Sequence, residues 1–276
     1  MDICTFLKMY STIQLYSTIQ LKGSHMETPT QQLYGALQIA YDHFNANLFD
    51  YSLPPVLFTT QRQKSVMGYF ACNRWVDAKG EKCSEIAINP AYVGRSALLE
   101  LLQTIVHEMV HCWQYEHGSP SRRTYHNKEW AQMMEDIGLM PSSTGRPGGK
   151  RTGQKISDYP IPGGLFIKEC EKLVRQGFAF PWVDRFAVAT ASSVDNPLLG
   201  EIVESLDLDD ELAEQLTANI DELMGEGVLA EPGENATVSK PKTRYTCPNC
   251  NLNLWGKSGL SVSCNDCQKV LVQNNK

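Results

Sequence analysis

Apolar residues recur at helical spacing in two long segments of the chain. From Thr30 to Leu48 they come every three or four residues, which predicts one amphipathic helix. The stretch from Ala97 to about Glu116 has the same period, and the hydroxyl of Ser96 before it suits an N-cap. The buried stripe of this second helix is expected to comprise Leu98, Leu102, Ile105, Val106, Met109 and Trp113. Together the two helices predict the helical side of a packed core.

Three short runs between these helices favour β-structure. They are Val56–Thr60, Val66–Ala71 and Glu85–Asn89. In the last run Ile86 and Ile88 alternate with other side chains, as they do in a strand with one buried face. Pro54-Pro55 stops any helix before the first run, and Asn89-Pro90 ends the third. The mixture predicts a small α+β domain.

The pattern changes after the second long helix. Asn127–Ile137 and Leu165–Gln176 still have helical periodicity, whereas Ser142–Gly164 is rich in Gly, Pro and Ser. We therefore predict two more helices, with a long irregular segment or a lid between them. In Leu198–Leu229 leucines alternate with acidic residues, which favours a helical hairpin or a helical linker.

Charge is distributed unevenly along the chain. The net charge is −6, but the 13 acidic residues between Phe186 and Ser239 are accompanied by no Lys or Arg. The remainder has 25 basic and 18 acidic residues, so a mildly basic body is joined to an acidic segment. The chain also has a perfect repeat near its start, Tyr10–Leu15 followed by Tyr16–Leu21, and then Gly23-Ser24-His25-Met26, which is typical of an expression-vector remnant.

These features predict four regions. They are a vector-like segment at 1–25, a main domain at 26–185, an acidic helical linker at 186–242 and a small cysteine-containing module at 243–276. The native chain is expected to start at Met26. The 276-residue chain has 42% hydrophobic residues, which is enough for one substantial core and a small appended module.

His107-Glu108-Met109-Val110-His111 lies inside the second long helix. Residues four apart are about 40° apart around a helix axis, so His107 and His111 can direct ring nitrogens at one metal ion. Glu108 lies about 100° from His107 around the helix axis, where its carboxylate can take a proton from a water that the metal activates. The pattern predicts a catalytic zinc site with Glu108 as general base.

A catalytic zinc needs a third protein ligand and an open position. His117 follows His111 by six residues, a spacing that serves zinc binding when a glycine midway breaks the helix, but here that position is Gln114. On an unbroken helix His117 would lie about 240° from His111. His126 follows the polar loop Gly118–Tyr125, which is long enough to bring the chain back. We therefore predict His126 as the third ligand.

These residues resemble the SprT-like metallopeptidase family, which includes the Spartan-type DNA–protein crosslink proteases. The resemblance covers about Leu33 to Met140 and rests on Thr104–Gln114, His126–Trp130, Met67–Phe70, Arg74-Trp75 and Glu85–Pro90. In that family the third histidine opens the following helix and a glycine comes next, whereas Asn127 stands there in this chain. The resemblance implies a zincin-like fold, with a metal-binding helix pair and a short sheet, and proteolysis of proteins on DNA.

Four of the nine cysteines form two pairs with metal-binding spacing, Cys247-Pro-Asn-Cys250 and Cys264-Asn-Asp-Cys267. Two such pairs hold a tetrahedral structural zinc, and a module of this size cannot fold on its apolar surface alone. The ribbon that they predict is mildly basic, which permits phosphate contacts, with protein docking as the alternative. The other cysteines are scattered, so a reducing, cytoplasmic compartment is expected.

The sequence thus predicts a zinc metalloendopeptidase with two Zn²⁺ ions, one catalytic and one structural. The expected partners are a protein substrate and DNA, without a membrane, since no stretch approaches the roughly 20 apolar residues of a membrane span. The oligomeric state and the donor to a developing oxyanion stay open, with Tyr115, Tyr125 and Arg122 as possible donors. One alternative is an adaptor or DNA-binding protein on a peptidase-like scaffold, against which the intact Glu108 argues. Another is a toxin or effector protease that acts on one host protein.

Overall fold

The computed structural model describes residues 27–64, 66–122, 124–188, 199–205, 209–225, 227–230 and 242–274. These residues form two compact units, divided between Leu229 and Ala230. The vector-like segment 1–25 lies outside the described residues. Among the described residues, no helix is long and apolar enough to cross a membrane.

The first unit is a mixed α+β structure. Its helices are α1 (Pro29–Leu48), α2 (Pro90–Val93), α3 (Leu98–His117), α4 (Lys128–Asp136), α5 (Leu165–Arg175), α6 (Leu199–Ser205), α7 (Asp210–Thr217) and α8 (Ile220–Met224). Its strands are β1 (Val56–Thr60), β2 (Gly68–Val76), β3 (Lys82–Ile88), β4 (Leu139–Ser142) and β5 (Ser157–Pro160). The predicted fold class is confirmed at this level.

A three-stranded sheet has the order β1-β3-β2, with β1 parallel and β2 antiparallel to β3. The first strand begins and ends where the sequence predicts. Strand β2 is longer than predicted because a bulge between Ala71 and Trp75 lets pairing resume beyond the irregular residues, with Asn73 at φ 47°. The sheet therefore continues as an exposed hairpin past the predicted end of β2.

The core lies between this sheet and the helices α1 and α3. Of the predicted α3 stripe, five members are buried and Trp113 is partly buried against the core. On α1, Leu37, Ala40 and Phe44 are buried, and Phe44 stacks on Phe166 of α5 with ring centroids 5.8 Å apart. The helical periodicity of the sequence thus identifies the right buried faces.

The start of α3 differs from the prediction. Ser96 is not its N-cap, because the Ser96 hydroxyl donates to the carbonyl of Tyr92, 3.0 Å away, at the end of α2. Ala97 takes the N-cap position without a side-chain hydrogen bond. The serine that the sequence pattern assigns to α3 instead closes the turn that follows the short helix α2.

The segment Ser142–Gly164, predicted to be irregular or a lid, contains ordered structure. Strand β5 pairs antiparallel with β4, from Leu139 opposite Pro160 to Ser142 opposite Ser157. The Ser142 hydroxyl also donates to the carbonyl of Arg146 at 2.5 Å, which closes the turn after β4. The sequence pattern did not predict this ladder because Pro141 and Pro160 lie within its strands and glycines follow β4, and such residues usually argue against a strand. Proline is tolerated here because both strands are edges of a two-stranded ribbon.

The acidic segment is not a free linker where the structure describes it. Helices α6, α7 and α8 bury Ile202, Leu216 and Ile220 in the core of the first unit. The N–H of Ile220 donates to the carbonyl of Ser96 at 3.0 Å, so α8 is joined to the chain just before α3. The prediction of a linker from residue 186 was wrong in this part, because Ile202, Leu216 and Ile220 pack inward while most of the described acidic side chains stay exposed.

The second unit comprises the cysteine-containing module. Its strands are β6 (Thr243–Thr246), β7 (Asn253–Gly256), β8 (Ser263–Cys264), β9 (Lys269–Val270) and β10 (Val272–Asn274). A three-stranded antiparallel sheet has the order β10-β6-β7, and β8 pairs with β9. The buried cluster is small and consists of Tyr245, Cys247, Cys264 and Leu271.

Candidate metal centre

Three histidines converge at the junction of α3 and α4. His107 and His111 lie one turn apart on α3, and His126 lies two residues before α4. One ligand nitrogen from each lies within 4.8 Å of the other two. The structure therefore brings together the three histidines that the sequence predicts as zinc ligands.

The competing histidine points elsewhere. His117, at the last position of α3, has its Nε2 2.9 Å from the carbonyl oxygen of Ser52. His126 is fixed by Gly153, since the two residues exchange backbone hydrogen bonds of 2.8 and 3.1 Å. The Gly153 carbonyl also lies 3.2 Å from Nδ1 of His126. The helix–loop–helix path predicted for the third ligand is the path that the chain takes.

A carboxylate that sequence reasoning missed holds the first histidine. Oδ2 of Asp158, on β5, accepts from Nδ1 of His107 at 2.7 Å. Burial alone would lower the pKa of His107, but this hydrogen bond and the charges of Glu108 and Asp158 raise it. Nothing near Asp158 in the sequence marks it, because only the unrecognised β4–β5 ladder brings it to α3. The contact leaves Nε2 of His107 for a metal.

The geometry of the histidines fits a zinc ion. Nε2 of His111 and Nε2 of His126 are 3.2 Å apart, and two nitrogens on one tetrahedral zinc would be roughly 3.3 Å apart. Burial, with the neighbouring His107, lowers the pKa of His126 to about 4, and burial lowers the pKa of His111 as well. Both rings are therefore neutral near pH 7, the form that binds metal.

Trp130 packs against the rings of all three histidines. Its ring centroid lies 4.3 Å from that of His126, 4.9 Å from that of His107 and 5.3 Å from that of His111. The indole is fully buried. A rigid aromatic side chain in contact with every ligand limits ring rotation, which keeps the nitrogens aimed at one point.

Glu108 lies beside the histidines and is buried. Burial raises the pKa of its carboxyl group, which accepts a hydrogen bond from the backbone N–H of Phe70 on β2. Strand β2 approaches α3 closely at Gly68, where a Cβ atom would lie 2.9 Å from Cγ2 of Thr104 and 3.5 Å from Cγ of Glu108. A glycine at this position allows the strand to reach the helix next to the glutamate.

The three side chains considered as oxyanion donors make other contacts. The hydroxyl of Tyr115 lies 2.5 Å from Nδ2 of Asn73 at the β2 bulge. The guanidinium of Arg122 lies over the ring of Tyr125, 5.2 Å from its centroid. None of these contacts is to a histidine of the centre, so the oxyanion donor stays unassigned.

The second unit brings its four cysteines together. Cys247, Cys250, Cys264 and Cys267 have their sulfur atoms within 4.8 Å of one another. The Sγ atoms of Cys250 and Cys264 are 3.7 Å apart, and sulfurs on one tetrahedral zinc would be roughly 3.8 Å apart. Backbone N–H groups of Cys250 and Asn249 lower the pKa of the Cys247 thiol to about 7. The donor set fits a structural Cys₄ zinc.

A helix that carries two histidines and a glutamate, followed by a loop and a third histidine, defines a metallopeptidase-like domain. Residues 37–149 match the sequence model of the SprT-like family, which confirms the resemblance over this segment. The chain is also 50% identical over 48 residues to "Uncharacterized protein in mucB 3'region" of Salmonella typhimurium. That alignment covers 17% of this chain and 65% of that relative. No solved structure matches the chain.

Proposed function

We propose that the protein is a zinc-dependent endopeptidase that cleaves proteins associated with DNA. The observation that carries the proposal is the position of Glu108, buried next to three convergent histidines and held by the N–H of Phe70. A purely structural zinc site needs no such carboxylate, and its four positions are closed by protein ligands. Three histidines leave one position for a substrate or a water.

His107, His111 and His126 would hold the zinc ion, which when bound supplies Lewis-acid activation of a water and of the substrate carbonyl. The chain fixes these ligands from outside. Asp158 and the carbonyl of Gly153 each lie by the Nδ1 of one histidine, which places a proton on Nδ1 and leaves Nε2 to face the metal position. Such contacts hold the metal-binding tautomer before any metal arrives.

Glu108 is the general base in this proposal. It takes a proton from the attacking water and passes it to the amine that leaves when the peptide bond breaks. Burial raises the pKa of the carboxyl group toward the working pH, which suits a group that both accepts and donates a proton. The Phe70 hydrogen bond limits the rotation of the carboxylate during this exchange.

The substrate polypeptide would bind along β2. This strand is at one edge of the sheet order β1-β3-β2, and its Phe70 backbone reaches Glu108. An extended peptide can add to an edge strand through main-chain hydrogen bonds without a strict sequence requirement. This mode favours an endopeptidase with broad sequence tolerance.

The ribbon supplies the proposed DNA contact. On the face of its sheet opposite the buried Tyr245, Arg244 lies between Trp255 and Asn274 in one cross-strand row. The Trp255 side chain is 60% exposed. An exposed indole next to a guanidinium offers stacking to a base and charge to a phosphate, as in single-strand binding surfaces. We propose single-stranded DNA as the preferred form.

The proposed compartment is the cytoplasm. Cys72, Cys83, Cys112 and Cys170 are free thiols, as are the four ribbon cysteines. Free thiols and thiolate-bound zinc both persist in a reducing environment.

A cleavage assay with the zinc-loaded protein tests the proposal. The protein is incubated with a DNA-binding protein substrate, with and without single-stranded DNA, and Glu108→Gln is run beside Glu116→Gln, an exposed glutamate of the same helix. We expect cleavage that DNA stimulates, a loss of about 10²-fold or more in Glu108→Gln, and normal activity in Glu116→Gln.

Three other outcomes would reject parts of the proposal. If the zinc-loaded protein cleaves nothing in either condition, it is not a peptidase of this kind. Cleavage of one protein without any effect of DNA would support an effector protease. DNA binding that survives without any cleavage would support the adaptor alternative.

A further inference from the structure

Asn127 directly follows His126, and its side chain makes three hydrogen bonds. Oδ1 accepts from the N–H of Trp130 at 3.0 Å, which caps α4, and from Nε2 of Gln114 on α3 at 2.7 Å. Nδ2 donates to the carbonyl of Ser119 at 3.0 Å. The Asn127 side chain therefore joins α3, the loop and α4.

Glu129 completes the same network from the first turn of α4. Its Oε2 accepts from Nε2 of Gln114 and from the N–H of Ser119, both at 2.7 Å. Gln114 is 3% exposed, and its amide donates to both Asn127 and Glu129. A buried amide that serves one neutral and one charged acceptor on the next helix fixes the separation of the two helices.

The Glu129 carboxylate also lies against the start of the loop between α3 and α4. A Cβ atom on Gly118 would lie 2.6 Å from Oε2 of Glu129, so a side chain there would push the carboxylate away. The backbone at Ser119 therefore lies against α4 immediately after α3 ends. Gln114, Ser119, Asn127 and Glu129 together form what is here called the clasp.

We propose that the clasp is a positioning device for the third metal ligand, His126. His126 directly precedes Asn127, and its Nε2 must stay near Nε2 of His111 on α3, 3.2 Å away, for both to share one ion. The clasp joins the same two helices and thereby holds these nitrogens at binding distance before the ion arrives. Preorganisation of this kind raises affinity because less order is imposed on binding.

This inference rests on the proposed histidine metal site, and it concerns metal affinity and not proteolysis. Outer contacts that orient metal ligands typically change affinity by about 10–100-fold. The Cys₄ site of the second unit contains none of these residues, so it serves as an internal control in every variant.

Asn127→Gly is the sharpest variant, because it removes the side chain that makes the three hydrogen bonds. Glycine is nearly as good an N-cap as asparagine, so α4 should lose little stability, while the contacts to Gln114 and Ser119 disappear. We expect the zinc dissociation constant of the histidine site to rise about tenfold in competition with a chelator. The ribbon site should keep its affinity.

Gln114→Glu removes the donor and places a carboxylate against Glu129 at the same size. Its matched control is Gln132→Glu, since Gln132 donates to Asp136 at 2.9 Å on the exposed face of α4. We expect a loss of zinc affinity of about tenfold or more in Gln114→Glu and none in Gln132→Glu. Adding Glu129→Gln to Gln114→Glu restores a donor and an acceptor and should recover part of the loss.

Cobalt substitution provides a readout that general destabilisation would not move. Cobalt at the Cys₄ site gives thiolate charge-transfer bands together with visible ligand-field bands, whereas cobalt at the histidine site gives visible ligand-field bands without the thiolate bands. We expect Asn127→Gly and Gln114→Glu to change the ligand-field bands of the histidine site and to leave the thiolate charge-transfer bands unchanged. The circular dichroism of both variants should match the wild type.

Wild-type affinity and an unchanged ligand-field spectrum in both variants would overturn the positioning role. A wild-type protein that binds metal only at its cysteines would instead remove the histidine centre itself, and the proposed function with it. Tight, clasp-dependent zinc binding in a protein that cleaves nothing would support the clasp and reject the peptidase.

Discussion

The two candidate metal centres are built in opposite ways. The ribbon's ligands come from two short sequence pairs, and its buried cluster has only four members, two of which are cysteines. The histidine centre draws on α3, on His126 two residues before α4 and on an aspartate of β5, all attached to a large apolar core. In the ribbon the metal would supply the stability that a large apolar core gives to other domains. In the first unit the apolar core holds the ligands in position for the metal.

Metal binding is therefore expected to be coupled to folding in the ribbon, and to leave folding unaffected in the first unit. Removal of the ligands should unfold the ribbon, because little apolar surface would hold it together. The same change in the first unit should leave a folded protein without its ion. The contacts around the histidines then tune how tightly the ion binds, which is where Asp158, Trp130 and the clasp act.

The largest effect is expected from the ribbon cysteines. A Cys250→Ala, Cys267→Ala variant should lose the fold of the second unit, since zinc binding contributes roughly 10–16 kcal/mol in modules of this kind. The amide spectrum by NMR should lose dispersion only for residues of the ribbon. A His107→Ala, His111→Ala variant should keep all dispersed signals, and a ribbon that stays folded without its cysteines would break the comparison.

Leu216→Ala should destabilise the first unit by about 2–5 kcal/mol, because Leu216 of α7 is fully buried in its core. Leu223→Ala is the matched control, since Leu223 is 41% exposed on α8. Thermal unfolding followed by circular dichroism would compare them. Equal melting temperatures for the two variants would mean that the acidic helices do not belong to the first unit.

Asp158→Asn should weaken zinc binding at the histidine centre by about 10–100-fold, because the amide cannot hold His107 with a full negative charge. Asp136→Asn, on the exposed side of α4, is the control. Chelator competition would measure both, with ribbon affinity as the internal standard. A wild-type dissociation constant in Asp158→Asn would show that this carboxylate does not orient the ligand.

Trp255→Ala should weaken binding of single-stranded DNA by about 1–3 kcal/mol at fixed salt, through loss of base stacking. Val270→Ala removes a similarly exposed side chain from the other ribbon ladder and should bind normally. Fluorescence anisotropy with a labelled oligonucleotide gives both constants. Identical affinities for the two variants would remove the ribbon sheet from the proposed DNA contact.

Local patterns in the sequence predicted the parts of the molecule that depend on local physics. The periodicity of α1 and α3 gave their buried faces, and the helix angle between His111 and His117 excluded the wrong histidine. The cysteine pairs predicted the composition of the Cys₄ cluster. Each of these inferences needs only residues of one helix, or of two cysteine pairs that are close in the sequence.

Long-range pairing accounts for what the sequence did not predict. Asp158 is 51 positions from His107, and only the β4–β5 ladder brings the two together. The acidic helices pack inward because Ile202, Leu216 and Ile220 find partners on distant elements, which their alternation with acidic residues does not announce. Ser96 fits an N-cap pattern but serves α2, so tertiary context overrides the local signal.

The zinc content of the purified protein tests the existence of two centres most directly. Elemental analysis should give two zinc ions per chain in the wild type and one in the His107→Ala, His111→Ala variant, with the ribbon ion retained. A wild type with one zinc, or a variant that still holds two, would contradict the assignment of the three histidines as a metal centre.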